Sequence, residues 1–108
     1  MVRSILISFQ FDSTSNMRVK VEFFALLREK AGAPEADVDF IGTTVMDLVE
    51  ALSCVHGEYF RDQVLEGEGI RSMVKILVNG RDVRGLRGLF TELREGDTVS
   101  IFPPAAGG

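Results

Sequence analysis

A single α+β domain, a mixed β-sheet with one main helix packed across it, is what this 108-residue sequence predicts. Three observations carry that expectation. Short alternating apolar runs recur along the chain, at 18–24, 37–41, 73–78 and 98–102. Only 45–55 shows a sustained helical repeat, with Val45, Leu48, Val49, Leu52 and Val55 at i, i+3, i+4, i+7 and i+10. Asn79-Gly80, between two apolar runs, is the strongest two-residue hairpin signal available. One helix covers only one face of a sheet, hence the class. The apolar share of 45% and charged share of 26% suit a soluble globular domain, which at this length hides roughly two-thirds of its unfolded surface and needs no staples.

Element by element, residues 1–16 read as an N-terminal extension. Ile5, Ile7, Phe9 and Phe11 alternate as a possible extra edge strand, and Ser13-Thr14-Ser15-Asn16 breaks it before Met17. The segment lacks the long apolar stretch and cleavage site of a signal peptide. The domain proper spans 17–103. Arg18–Phe24 alternates as a strand; Leu26–Ala31 makes a short helical turn stopped by Gly32 and Pro34; Asp37–Ile41 is a second strand. Gly42 introduces the helix, with Thr43 or Thr44 as N-cap, Thr44-x-x-Asp47 resembling a capping box and Gly57 at the C-cap. Tyr59, Phe60, Val64 and Leu65 predict a short second helix, and Glu66-Gly67-Glu68-Gly69 a mobile acidic loop. Met73–Val78 and Arg81–Val83 flank the hairpin turn, Gly85–Leu89 is expected to loop across the sheet, and Glu95-Gly96-Asp97 turns into the last strand, Thr98–Phe102. A last strand lying centrally beside the first gives the β-grasp, or ubiquitin-like, fold, with a flexible tail over 104–108 at one pole.

The functional signal is that tail, Phe102-Pro103-Pro104-Ala105-Ala106-Gly107-Gly108. Pro103 and Pro104 lack N–H groups and hold φ near −65°, so they end sheet pairing and stiffen the base of an arm. Ala105, Ala106 and Gly107 are too small to obstruct a narrow channel, and six residues past Phe102 reach roughly 20 Å when extended. The Gly108 carboxylate, with an ordinary pKa of about 3.3–3.7, is ionised and a poor electrophile at neutral pH. Adenylation by an ATP-using partner would activate it. Sulfur attack then yields a thiocarboxylate, and attack by a lysine amine an isopeptide bond. A frayed terminus is the bland alternative for any Gly-Gly ending; its position directly after Ser100-Ile101-Phe102-Pro103-Pro104 weighs against it.

These residues resemble the small, sulfur-carrying subunit of molybdopterin synthase and the archaeal ubiquitin-like small modifiers. The likeness lies in Val19–Glu29, Val78-Asn79-Gly80, Glu95–Val99 and Phe102–Gly108, and covers Met17 to Gly108. The thiamine sulfur carrier shares the fold and the Gly-Gly, but the long 58–72 segment favours the molybdopterin branch. The resemblance implies a sulfur carrier that is not itself an enzyme. An adenylating, ubiquitin-activating-like enzyme would spend ATP on Gly108, a sulfurtransferase would supply sulfur, and the arm would enter the large synthase subunit to build the dithiolene of a molybdenum or tungsten cofactor. By motif position Phe24, Arg28 and Phe102 would form the partner interface. Ile101 stands where relatives can carry an aromatic residue.

Other residues carry less. Phe102 is either core at a strand end or an exposed anchor, and adjacent Phe23 and Phe24 must face opposite sides of their strand. Arg28 reads most simply as a solvated helix charge. Cys54 faces away from the apolar stripe without a thiolate-stabilising neighbour, while His56 is a C-terminal capping or partly buried residue. One cysteine and one histidine make no metal site, and no bound cofactor is expected. Arg81, Arg84 and Arg87 form a solvated basic loop or a contact for an acidic partner. The single cysteine suits the cytoplasm, a net charge of −4 argues against nucleic acid, and no apolar run approaches the ~20 residues of a membrane span. Two rival functions remain from the residues alone: a protein modifier joined through Gly108 to target lysines, and a plain β-grasp binding module with an idle tail.

Overall fold

The computed structural model describes residues 3–6 and 16–103. In chain order it runs β1 (Arg3–Leu6), β2 (Asn16–Phe23), α1 (Ala25–Ala31), β3 (Glu35–Ile41), α2 (Val45–His56), α3 (Glu58–Val64), β4 (Leu65–Glu66), β5 (Gly69–Ile70), β6 (Lys75–Val78), β7 (Arg81–Asp82), two 3-10 turns (Val83–Gly85 and Gly88–Phe90) and β8 (Thr98–Phe102). Six strands form one sheet in the order β1-β3-β2-β8-β6-β7, and β4 and β5 pair separately. β8 runs parallel to β2, from Lys20 opposite Thr98 to Phe23 opposite Ile101, and antiparallel to β6 on its other side. β2 and β3 are antiparallel. This is the β-grasp arrangement, with the last strand central and its C-terminal end at one pole.

Strand alternation decides the two faces. On the inner face Val19, Val21, Phe23, Val38, Phe40, Ile76, Val99 and Ile101 are at most 1% exposed. α2 contributes Val45, Leu48, Val49 and Leu52 to the same core, joined by Leu27 of α1 and by Phe60 and Val64 of α3. The outer face is polar where β2 meets β8: the Ser100 hydroxyl donates to Glu22 Oε1 at 2.8 Å.

The start of α2 follows from three residues. Thr44 Oγ1 accepts the Asp47 N–H at 3.2 Å, and Asp47 Oδ2 accepts the N–H groups of Thr43 and Thr44 at 2.9 and 3.1 Å, completing the capping box. Burial pushes the Asp47 carboxyl upward, but these hydrogen bonds outweigh it and hold the group below its ordinary value. Gly42, at φ 145°, is the residue this box requires, since a Cβ there would lie 2.5 Å from Asp47 Cβ.

The short helical turn expected after β2 is present as α1, closed by Gly32 at φ 79°, whose N–H donates to the Arg28 and Glu29 carbonyls. Other expectations are corrected. Glu66–Gly69 is not an open loop: Leu65 pairs with Ile70 and Glu66 with Gly69 around Gly67. Met73 and Val74 stand outside β6, because the Val74 N–H is taken by the Arg71 carbonyl and its own carbonyl by the Arg84 guanidinium. Residues 83–90 form two 3-10 turns rather than a loop crossing the sheet. Val55, on the flank of the stripe in the last turn of α2, is 47% exposed. His56 turns inward instead, its ring 6.0 Å from Phe23 and 5.7 Å from Phe60. At the sheet edge β1 pairs in parallel with β3, from Arg3 opposite Ala36 to Leu6 opposite Asp39. Of the N-terminal extension, Ile7, Phe9, Phe11 and Ser13-Thr14-Ser15 lie outside the described residues.

Candidate functional site at the root of the tail

β8 delivers the chain to the tail, and both of its ends are built by residues distant in sequence. At its start, Asn79 and Gly80 take φ 52° and 86°, the left-handed pair of a type I′ turn. Asn79 Nδ2–H donates to Asp97 Oδ1 at 2.9 Å, and its Oδ1 accepts the Thr98 N–H at 3.0 Å. The Asn79 N–H donates to the Thr98 carbonyl at 2.8 Å. Asp97 Oδ2 accepts the Arg94 N–H at 2.8 Å, and the Gly96 N–H donates to the Arg18 carbonyl at 2.9 Å. The Asn-Gly and Gly-Asp signals, each weak alone, thus meet in one hydrogen-bonded unit.

At the end of β8 the pairing register sets Phe102 beside the end of β2. The rings of Phe24 and Phe102 stack at 4.1 Å between centroids with 11° between planes. The Arg28 guanidinium lies over the Phe24 ring at 5.7 Å, and its Nε–H donates to the Phe23 carbonyl at 3.2 Å. All three sequence-predicted interface residues are therefore brought together, with both aromatic residues half-buried. The choice between core and anchor at Phe102 resolves as neither alone: its ring is covered on one side by Phe24 and remains partly open. Phe23 is the core member of its pair. Arg28 is exposed yet engaged rather than simply solvated. Pro103 is buried, whereas Pro104, Ala105, Ala106, Gly107 and Gly108 lie outside the described residues.

The register also exposes two participants that the sequence alone did not single out. Lys75 on β6 stands directly opposite Phe102 and is exposed, so a second cation lies at this pole. Ala25, at φ 53°, turns the chain between β2 and α1 and so sets where Phe24 and Arg28 sit. Cross-strand pairing would have been needed to find the first; nothing in the sequence marks the second.

The remaining candidates fall elsewhere. Arg84 is not a solvated loop charge: its guanidinium binds the carbonyls of Val74, Ile70 and Arg71, the last at 2.8 Å, tying the 3-10 turn to the segment before β6. Arg81 and Arg87 are exposed, as is Cys54. Among the described residues no group of three or more His, Cys, Asp or Glu side chains could hold a metal ion. No helix among them is long and apolar enough to cross a membrane.

Residues 21–108 match the ThiS family. The chain is 36% identical over 96 residues to small archaeal modifier protein 3 of Haloferax volcanii, covering 85% of this chain and all of that protein. It is 35% identical over 95 residues to the sulfur carrier protein CysO of Mycobacterium tuberculosis, with the same 85% and full coverage. A solved structure from Pyrococcus furiosus, named as a candidate molybdopterin converting factor subunit 1, superposes with a TM-score of 0.66 at 39% identity, over 82% of this chain and 99% of that one. Family match, identity and fold agree: the chain belongs to the ThiS family of β-grasp sulfur carriers and ubiquitin-like small modifiers.

Proposed function

We propose that this protein is the sulfur carrier of a molybdopterin, or tungstopterin, synthase, with Gly108 as the reacting residue. The observation that supports this most strongly is the placement of Phe102-Pro103 at the end of the central strand, directly before the sequence Pro104-Ala105-Ala106-Gly107-Gly108. In this reading a Gly108 carboxylate oxygen attacks the α-phosphorus of ATP held by an adenylating enzyme, and pyrophosphate leaves. The outer sulfur of a sulfurtransferase cysteine persulfide then attacks the acyl carbon and AMP leaves. A second thiol attacks the persulfide cysteine sulfur of the resulting acyl disulfide, so that a disulfide forms between the two thiols and the thiocarboxylate is released. Gly107, Ala106 and Ala105 let the arm pass through a narrow channel, and Pro104 limits its swing. The large synthase subunit receives the sulfur and passes it to the pyranopterin precursor. Phe24, Arg28 and Phe102 serve as the docking surface: half-buried aromatics beside a charge suit an interface anchor. The carrier holds no cofactor of its own; ATP belongs to the activating partner. The single cysteine suits work in the reducing cytoplasm. The likeness to the Pyrococcus furiosus chain supports the molybdopterin reading.

The identity to small archaeal modifier protein 3 favours a second reading, in which the same adenylate is passed to lysines of target proteins. ATP–pyrophosphate exchange with the organism's own adenylating enzyme tests the shared first step. Wild type supports exchange, while deletion of Gly108 abolishes it with unfolding temperature unchanged; exchange retained by the deletion refutes the assignment of Gly108. A denaturing blot of cell extract separates the branches, since lysine adducts heavier than the carrier belong only to the modifier.

A further inference from the structure

We infer that Phe24 and Arg28 are positioning residues for the tail, acting through Phe102 to set the direction in which the chain leaves the sheet. The inference rests on the reading of Gly108 as the group that is adenylated, and goes beyond the docking role given to these residues above.

The argument begins with what holds β8 at its last residues. Phe23 opposite Ile101 is the final pair between β2 and β8, whereas β6 still pairs Lys75 with Phe102. At Phe102 the strand has thus lost its ladder partner on one side. Phe24 fills that place with a ring instead of a backbone, stacked at 4.1 Å and 11°. Phe24 is itself held from two directions. Ala25 at φ 53° turns the chain immediately after it, a left-handed step that is strained for a non-glycine residue and persists only where its surroundings hold it. Arg28, one turn into α1, spans back with its guanidinium over the Phe24 ring and its Nε–H on the Phe23 carbonyl. Pro103 is buried on the next step and has no N–H to pair. The strand is therefore clamped through Phe102 and Pro103, the last of the described residues.

The root matters because the five residues after Pro103 reach at most about 17 Å, so the direction in which the chain leaves Pro103 bounds the region that the Gly108 carboxylate can visit. Attack on phosphorus requires the reacting atoms within about 3–3.5 Å, and a misplacement near 1 Å can cost about a hundredfold in rate. Docking surfaces hold a partner; a clamp decides where the carboxylate arrives once the partner is held. The two roles separate kinetically, since lost uniform binding raises KM and lost positioning lowers kcat.

The test compares wild type with Phe24→Leu, which keeps apolar bulk but removes the stack, Phe24→Tyr, which keeps it, and Arg28→Gln. One measurement is the 15N order parameter of the Phe102 amide; the other is steady-state adenylation by the organism's adenylating enzyme, followed by pyrophosphate release. Thermal unfolding confirms that folded proteins are compared. Phe24→Leu is expected to lower the Phe102 order parameter and to lower kcat about tenfold, in addition to any rise in KM from the lost docking contact. Arg28→Gln does the same more weakly, and Phe24→Tyr restores both. A raised KM at unchanged kcat would make these residues docking contacts only, overturning the inference while leaving the Gly108 reading intact. An unchanged order parameter in Phe24→Leu overturns it whether or not adenylation is observed, and failure of wild type to be adenylated defeats the Gly108 reading instead.

Discussion

The two ends of β8 are held by opposite means. At Thr98 the strand is pinned by hydrogen bonds: Asn79 bridges Asp97 and Thr98, Asp97 caps Arg94, and Gly96 binds Arg18. At Phe102 the β6 ladder continues on one side through Lys75, and on the β2 side the hold is a ring stack, a guanidinium and a buried proline. Hydrogen bonds are directional and fix register, which a central strand needs because a one-residue slip would turn Val99 and Ile101 outward. A stack followed by prolines ends the ladder without presenting a donor that could extend it. One end specifies the register; the other, on the inference drawn above, sets the direction in which the chain leaves the sheet.

Substitutions can break that contrast in graded ways. Ile101→Ala, at the penultimate and fully buried position of β8, removes packing from the shared core and should cost about 3 kcal/mol, read as a lowered unfolding midpoint in urea. Asn79→Ala strikes the turn end alone. It loses two side-chain hydrogen bonds and leaves alanine at φ 52°, for about 2 kcal/mol of stability. Adenylation of the folded Asn79→Ala protein should be unchanged; a fall in its kcat would show that the two ends are not separate. Phe102→Leu strikes the tail end alone, costing less than about 1 kcal/mol at a half-buried site while slowing adenylation.

Acid gives the mildest test. Arg18, whose carbonyl and N–H bind the 95–96 turn, forms a two-pronged pair with Asp39 at 2.6 and 2.9 Å. That hydrogen bond holds the Asp39 carboxyl below its ordinary value of 3.8, and the capping box does likewise for Asp47. A carboxyl with a lowered folded pKa contributes stability at pH above its unfolded value and loses it as pH falls through the folded one. Unfolding temperature should therefore hold from neutrality to about pH 4 and drop below it. Asp39→Asn should flatten the drop, and an undiminished slope in that variant would remove the pair from the account.

Much of this was legible because it is local. The Val45–Leu52 stripe, the Thr44–Asp47 box and the Asn79-Gly80 turn each depend on residues a few positions apart, and each stands where the pattern placed it. What escaped depends on contacts between distant segments. Arg84 looks like one charge among three until the carbonyls of 70–74 surround it. Val55, counted in the apolar stripe, is 47% exposed, while the partial burial expected of His56 is against Phe23 and Phe60, partners that periodicity does not name. The stack of Phe24 on Phe102 requires the parallel register of β2 and β8, which no single run specifies. Motif likeness grouped those residues with Arg28 without saying that they touch one another.

The measurement that bears most directly on the carrier assignment is the intact mass of the untagged protein before and after incubation with ATP, the organism's adenylating enzyme and a sulfur source. The account predicts a gain equal to replacing one oxygen by sulfur, absent when Gly108 is deleted. A protein that consumes ATP with that enzyme yet gains no sulfur, and turns up instead as adducts on the lysines of other proteins, would contradict it.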